Sequence, residues 1–191
     1  MPPLRIATRG SELALWQARH VAGLLADDVE LVVVETSADR RQELEIWQLG
    51  GKGAFAKEVQ AAVLDGRADL AVHSAKDLPS VTPPGLHLAA VPERADPRDA
   101  LVGRRLAELP PGARVATGSN RRRVQLADQR PDLTFTGLRG NIATRLRRVA
   151  EGDVDAVVVA AAALTRLGRL GEAAEVLDPS DVVPQVGQGA L

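Results

Sequence analysis

The sequence predicts an α/β protein built as two domains. Short apolar runs rich in β-branched residues alternate with segments whose apolar residues recur at helical spacing. The alternation breaks once, at PERADPRDA (92–100), where prolines and charges cluster, and then restarts. At 191 residues the chain is long enough for one large core or two small ones.

LRIAT (4–8) is a first strand. Over 11–26, Leu13, Trp16, Val21, Leu24 and Leu25 fall near helical spacing, and Ser11 is a candidate N-cap. VELVVVET (29–36) is a strongly β-branched strand. SADRRQELEIWQLGGKG (37–53) follows as a long polar loop. A helix over 54–65 places Phe55, Val59, Ala62 and Val63 on one face, with Gly66 as its stop. ADLAV (68–72) and LHLAAV (86–91) are two more strands.

Beyond the break, RVATG (114–118) is a strand, 119–129 a helix and LTFTG (133–137) a strand. Residues 141–151 form a helix, DAVVVA (155–160) a buried strand, and 161–168 a helix ended by Gly168. DVVPQVGQGAL (181–191) is a Pro- and Gly-punctuated return segment. The expected domains are 1–92 and 98–183, with a hinge at 93–97 and 184–191 returning to the first. In such folds ligands sit at the C-terminal ends of strands, here expected to face a cleft between the domains.

Composition narrows the chemistry. Aromatic residues are 2% of the chain, so the core is aliphatic. The net charge of −1 gives no global attraction to nucleic acid or membrane. The chain has no cysteine, and its three histidines (20, 73, 87) are scattered, so no metal site is expected. The N-terminus lacks an apolar leader, which makes the cytoplasm the expected location.

VHSAKDLPS (72–80) ends a strand with His73, Ser74, Lys76 and Asp77. A carboxylate fixed there could stabilise a developing cation and pass a proton, though the same residues could form a local ion pair. GGKGAFAKE (50–58) places Lys52 among glycines before a helix, a pattern suited to anionic oxygens and equally to a plain turn. TRGS (8–11) sets Arg9 and Ser11 at a strand-to-helix turn, where a guanidinium can hold a carboxylate.

The sharpest charge signal lies in 114–148. Nine arginines face two aspartates there, a local +7 in a chain at −1. GSNRRR (118–123) and LRGN (138–141) carry arginines at the turns of consecutive βα units, so a polyanionic ligand is expected. Arg123, Arg147 and Arg148 read as solvated helix-face residues. Few aromatics interleave with the arginines, which argues against nucleic acid.

IATRGSELALWQA, GGKGAFAKE, DLAVHSAKDLP, ERADPRDA, GSNRRR, LRGNIATRL and VGQGA occur in this order. Together they resemble the porphobilinogen deaminase (hydroxymethylbilane synthase) family over essentially the whole chain. The resemblance implies a cytoplasmic, monomeric transferase of tetrapyrrole (haem) biosynthesis. It joins four porphobilinogen molecules head to tail into the linear tetrapyrrole hydroxymethylbilane and releases ammonia. It also implies two domains similar to type-2 periplasmic binding proteins, each a mixed, mostly parallel sheet with helices on both faces. A dipyrromethane cofactor would carry the growing polypyrrole chain in the cleft.

By this resemblance Asp77 is the catalytic residue. Lys76, Thr117, Ser119, Arg121, Arg122, Arg139 and Arg145 bind cofactor. Arg9, Ser11, Lys52, Phe55 and Gln188 contact substrate, and 37–53 is a flap. Gln48 stands where the family has a second flap lysine, and Asn120 where an apolar residue is usual. The family's third domain, with the cysteine that anchors the cofactor, has no counterpart in these residues, so a fragment of a longer enzyme is the expectation. The competing expectations are a non-catalytic two-lobed binder of an anionic small molecule and an inactive fragment.

Overall fold

The computed structural model describes residues 2–25, 28–40, 53 and 55–191. They form two compact units, residues 1–94 with 190–191, and residues 95–189. Residues 184–189, read from sequence as part of a return toward the first domain, therefore belong with the second unit, and Ala190 and Leu191 join the first.

The first unit opens with β1 (Leu4–Arg9), α1 (Glu12–Leu25) and β2 (Val29–Val34). A single helical turn, α2 (Ser37–Arg40), precedes α3 (Lys57–Leu64) and the two-residue β3 (Leu70–Ala71). The strands form a parallel sheet in the order β2-β1-β3. Alternation along β1 divides its core. Ile6 packs with Ala18 of α1 and Val72, while Ala7 packs with Val59 and Ala62 of α3. Trp16 and His20, one turn apart on α1, stack with ring centroids 5.1 Å apart. α3 stops where its sequence says it should. Gly66 takes φ +71°, its N–H bonds to Val63 O, and Arg67 N–H reaches back to Ala62 O at 2.9 Å.

Residues 86–91 do not form the expected strand. The segment joins neither sheet, and Leu88 is 65% exposed. β propensity alone does not make a strand; without a ladder partner its apolar side chains have nothing to pack against.

The second unit carries two strands that the sequence pattern concealed, β4 (Asp99–Val102) and later β8. β5 (Arg114–Ala116), α4 (Asn120–Gln129), β6 (Thr134–Thr136) and α5 (Ile142–Ala150) follow β4. β7 (Ala156–Ala160), α6 (Ala161–Arg166) and β8 (Ala173–Val176) complete it. The sheet order is β6-β5-β7-β4-β8. β5, β6 and β7 run parallel, and β4 is antiparallel to both β7 and β8. One face of the sheet (Ala116, Val157, Val159) packs with Leu146 and Leu164; the other (Val115, Val158) packs with Leu126. Both fully buried faces explain the unbroken apolar run of β7. Among the described residues, no buried core residue is aromatic.

Candidate active site

In the first unit the site residues gather at the C-terminal ends of β1 and β3, which are neighbours in the sheet. After β3, Val72 N–H still bonds to Ala7 O, and the chain then tightens into a 3-10 turn over Ala75–Asp77. Asp77 N–H bonds to Ser74 O at 2.9 Å, and Leu78 N–H to Ala75 O at 3.3 Å. Ala75 N–H is itself bonded to Ala190 O at 3.1 Å. Lys76 and Asp77 are thus half-buried on a backbone fixed at three points.

His73 sits at the root of that turn. Its Nε2 atom is buried with no hydrogen-bond partner. Burial, and then the charge of Arg9, push its pKa from 6.5 to about 4, so the imidazole is neutral near pH 7.

Arg9 ends β1 and packs its guanidinium on Phe55, 4.3 Å from the ring centroid. It is also paired with Asp39 of α2 through Nε and Nη2. Burial raises the Asp39 carboxyl, but hydrogen bonds from Arg9 and Thr36 outweigh it and hold the pKa below the usual range. Glu58 of α3 accepts the Ser37 N–H at 2.8 Å. Ser11 caps α1, its Oγ accepting the Ala14 N–H at 3.3 Å. Lys52, Gln48 and most of the 37–53 loop lie outside the described residues.

In the second unit the two arginine-bearing turns meet at the ends of the adjacent parallel strands β5 and β6. Gly118 lies so close to the second turn that a Cβ there would stand 2.7 Å from Leu138 O. Thr117 is buried, with its N–H bonded to Thr136 O and its hydroxyl accepting the Ser119 N–H at 3.2 Å. Ser119 caps α4 and Asn141 caps α5, the latter accepting the Thr144 N–H at 2.9 Å. Arg139 is half-buried on the second turn, and Arg145 reaches back from α5 to bond Gly140 O at 2.9 Å.

The basic stretch divides into different tasks. Arg130 ties Asp132, Leu106 O and Leu109 O together, and Arg123 and Arg147 point to solvent. Arg122 is turned into the sheet. Its guanidinium donates to Asp99 Oδ1, Val158 O and Gln188 Oε1, and its side chain is 8% exposed. Gln188 is buried with it, donating to Pro97 O at 2.7 Å and Asp99 Oδ1 at 2.8 Å. Both were expected to touch ligand directly, but here their polar groups are engaged within the unit. Arg121, by contrast, is partly exposed and bonds Asp99 Oδ2 at 2.6 Å and Val183 O at 2.5 Å.

Asp39 and Asp99 are the polar centres that sequence reasoning missed. Asp99 is followed by the apolar residues ALV, a strand-like signal masked by the prolines before it. Asp39 carried no comparable signal within its polar loop. Among the described residues, no group of three or more His, Asp or Glu side chains could hold a metal ion, and no helix is long and apolar enough to cross a membrane.

Parallel βα units with capped helices and basic turns at their strand ends define an α/β protein with adjoining arginine-bearing turns on one sheet. The family model described as "Porphobilinogen deaminase, dipyromethane cofactor binding domain" matches residues 4–191. The chain belongs to the porphobilinogen deaminase family. The porphobilinogen deaminase of Nitratidesulfovibrio vulgaris (strain Hildenborough) is 50% identical over 200 residues, covering 100% of this chain and 64% of that protein. That of Pelobacter propionicus matches equally, 50% identical over 200 residues with the same coverage. That of Syntrophus aciditrophicus is 48% identical over 196 residues, covering 98% of this chain and 64% of its own. The chain therefore spans about 64% of the length of these relatives. A solved ancestral cationic amino acid solute binding protein is similar at a TM-score of 0.48 and 15% identity, covering 92% of this chain and 76% of that one; the likeness is too slight to carry an inference.

Proposed function

We propose that these residues serve the polymerisation of four porphobilinogen molecules into hydroxymethylbilane with release of ammonia. Asp77 is the catalytic carboxylate. The observation that carries the reading is the Asp77 turn, fixed by three backbone hydrogen bonds at a strand end in a chain of the deaminase family. Loss of ammonia from porphobilinogen leaves an electron-poor carbon conjugated with the pyrrole ring. A rigid carboxylate beside the ring N–H lowers the cost of that charge and can pass the proton. Neutral His73 behind the turn adds no competing positive charge near pH 7.

The dipyrromethane group named by the family model is rich in carboxylates, because each pyrrole carries an acetate and a propionate. The basic turns at the ends of β5 and β6 fit that chemistry. Lys76, Arg121, Arg139 and Arg145 would hold the carboxylates, with Thr117 and Ser119 shaping the turn beneath them. Arg122 supports this set from behind, since its donors are engaged by Asp99 and Val158. When bound, the group supplies the pyrrole carbon on which the chain grows. This chain has no cysteine, so it offers no thioether to that group.

Arg9 and Phe55, already in contact, together with Ser11 and Lys52, would receive substrate, while Gln188 acts from within the second unit through Asp99. The division into domains 1–92 and 98–183, with 93–97 as hinge, belongs to the same proposal. So does a cytoplasmic monomer acting on a small molecule and not on nucleic acid. Asp77→Asn tests it on the purified protein. Porphobilinogen consumption should fall by about 100-fold or more, the scale of lost general acid–base and electrostatic catalysis, with circular dichroism unchanged. Turnover by Asp77→Asn close to that of the wild type would end the assignment.

A further inference from the structure

We propose that Asp99 is a positioning residue for carboxylate binding at the head of α4: it fixes the Arg121 guanidinium without touching ligand. The inference rests on the carboxylate-binding role proposed above for Arg121.

Asp99 is the first residue of β4 and is fully buried. Its two oxygens have separate partners. Oδ1 accepts Arg122 Nε at 3.0 Å, Arg122 Nη2 at 2.7 Å and Gln188 Nε2 at 2.8 Å. Oδ2 accepts Arg121 Nη2 at 2.6 Å. Burial raises the carboxyl, but the charge and hydrogen bonds of Arg122, with those of Gln188 and Arg121, outweigh it, and Asp99 stays ionised.

A counter-ion for buried Arg122 is needed on any reading. Arg121 is different, because it is partly exposed and water could serve it. Instead it is held from both ends. Nη2 is on Asp99, and Nη1 is on Val183 O at 2.5 Å. Val183 is in turn clipped to the same helix, its N–H donating to Gln125 Oε1 at 2.8 Å. A long side chain is thereby frozen before any ligand arrives, so less freedom is lost on binding.

The placement also works against simple attraction. A buried carboxylate subtracts one charge from a cluster that is to bind anions. If Asp99 were only a counter-ion, removing its charge would strengthen anion binding by Coulomb's law. If it positions Arg121, removal weakens binding although the site becomes more positive. The sign of the effect separates the two.

The test compares the purified wild-type protein with Asp99→Asn, using a free dipyrromethane bearing acetate and propionate groups as the probe and nitrogen-15 relaxation at Arg121 Nε as a second readout. We expect dipyrromethane binding to weaken about tenfold, as the loss of a pre-organised charged contact implies. Arg121 Nε should become markedly more mobile. Unchanged Arg121 relaxation in a folded variant overturns the proposal, as does binding as tight as, or tighter than, that of the wild type. Should Asp99→Asn not fold, Asp99→Leu combined with Arg122→Met removes both buried charges and carries the same expectation for Arg121. If the wild type itself binds no dipyrromethane, the proposed carboxylate-binding role fails, and Arg121 relaxation alone then decides whether Asp99 positions it.

Discussion

His73 follows the last paired residues of β3 and keeps its Nε2 atom buried without a partner. Its folded pKa of about 4 lies below the ordinary 6.5, so the sign of its effect on stability is fixed. Above pH 6.5 both folded and unfolded states hold a neutral imidazole, and there is no penalty. Between pH 6.5 and 4 the unfolded chain takes up a proton that the folded one refuses, and stability falls by about 3 kcal/mol across that window. His73→Gln should remove this fall, measured as urea-unfolding free energy from pH 7 to 4. An equal loss in both proteins would show that the imidazole is not responsible. Asp99 acts at lower pH. Its depressed pKa gives stability that is present above the ordinary carboxylate value and lost as pH falls through the folded one.

At the scale of elements, the meeting of the turns after β5 and β6 depends on the missing side chain at Gly118. A methyl group there would press on the Leu138 carbonyl, and backbone cannot yield cheaply. Gly118→Ala should cost about 1–3 kcal/mol by urea unfolding, the usual range for overpacking, and weaken dipyrromethane binding by parting the turns. A variant that keeps both properties would mean the turns meet for other reasons. Much of this layer was legible in sequence. Helical spacing located α1 and α3, Gly66 closed α3, and the helices read at 119–129 and 141–151 are α4 and α5. Two short strands escaped. β4 hides behind DPR, and β8 (AAEV) is too short and too plain to show a period. Residues 86–91 failed in the opposite way, because propensity is local and pairing is not. The site divided along the same line. The arginine turns were readable as charge at strand ends, but the inward direction of Arg122 depends on Asp99, which is adjacent only after folding.

At the scale of the whole molecule, each unit has its own core. Residues of β1, α1 and α3 build one, and the larger second is built of buried aliphatic residues with half-buried Phe135 packed against them. Both tryptophans, Trp16 and Trp47, lie in the first 94 residues. Tryptophan fluorescence therefore reports on the first unit, while far-ultraviolet circular dichroism reports on both. Leu164, fully buried in the second core, offers a test. Leu164→Ala should lower the stability of that unit by about 2–5 kcal/mol. Part of the dichroism transition should then move to lower urea while the fluorescence transition stays in place. Coincident shifts would mean that the chain unfolds as one cooperative body.

The hydrogen bond from Ala75 N–H to Ala190 O sets an order of events during synthesis. The Asp77 turn emerges from the ribosome early, after β1, α1, β2 and α3 are made. Its anchoring carbonyl is translated only after the whole of residues 95–189. Until then the nascent chain carries its carboxylate on a turn lacking one of its three ties. A pause or premature stop before residue 190 would leave the turn after β3 held by two ties, not three. The last tie thus arrives late in translation, from a single backbone carbonyl.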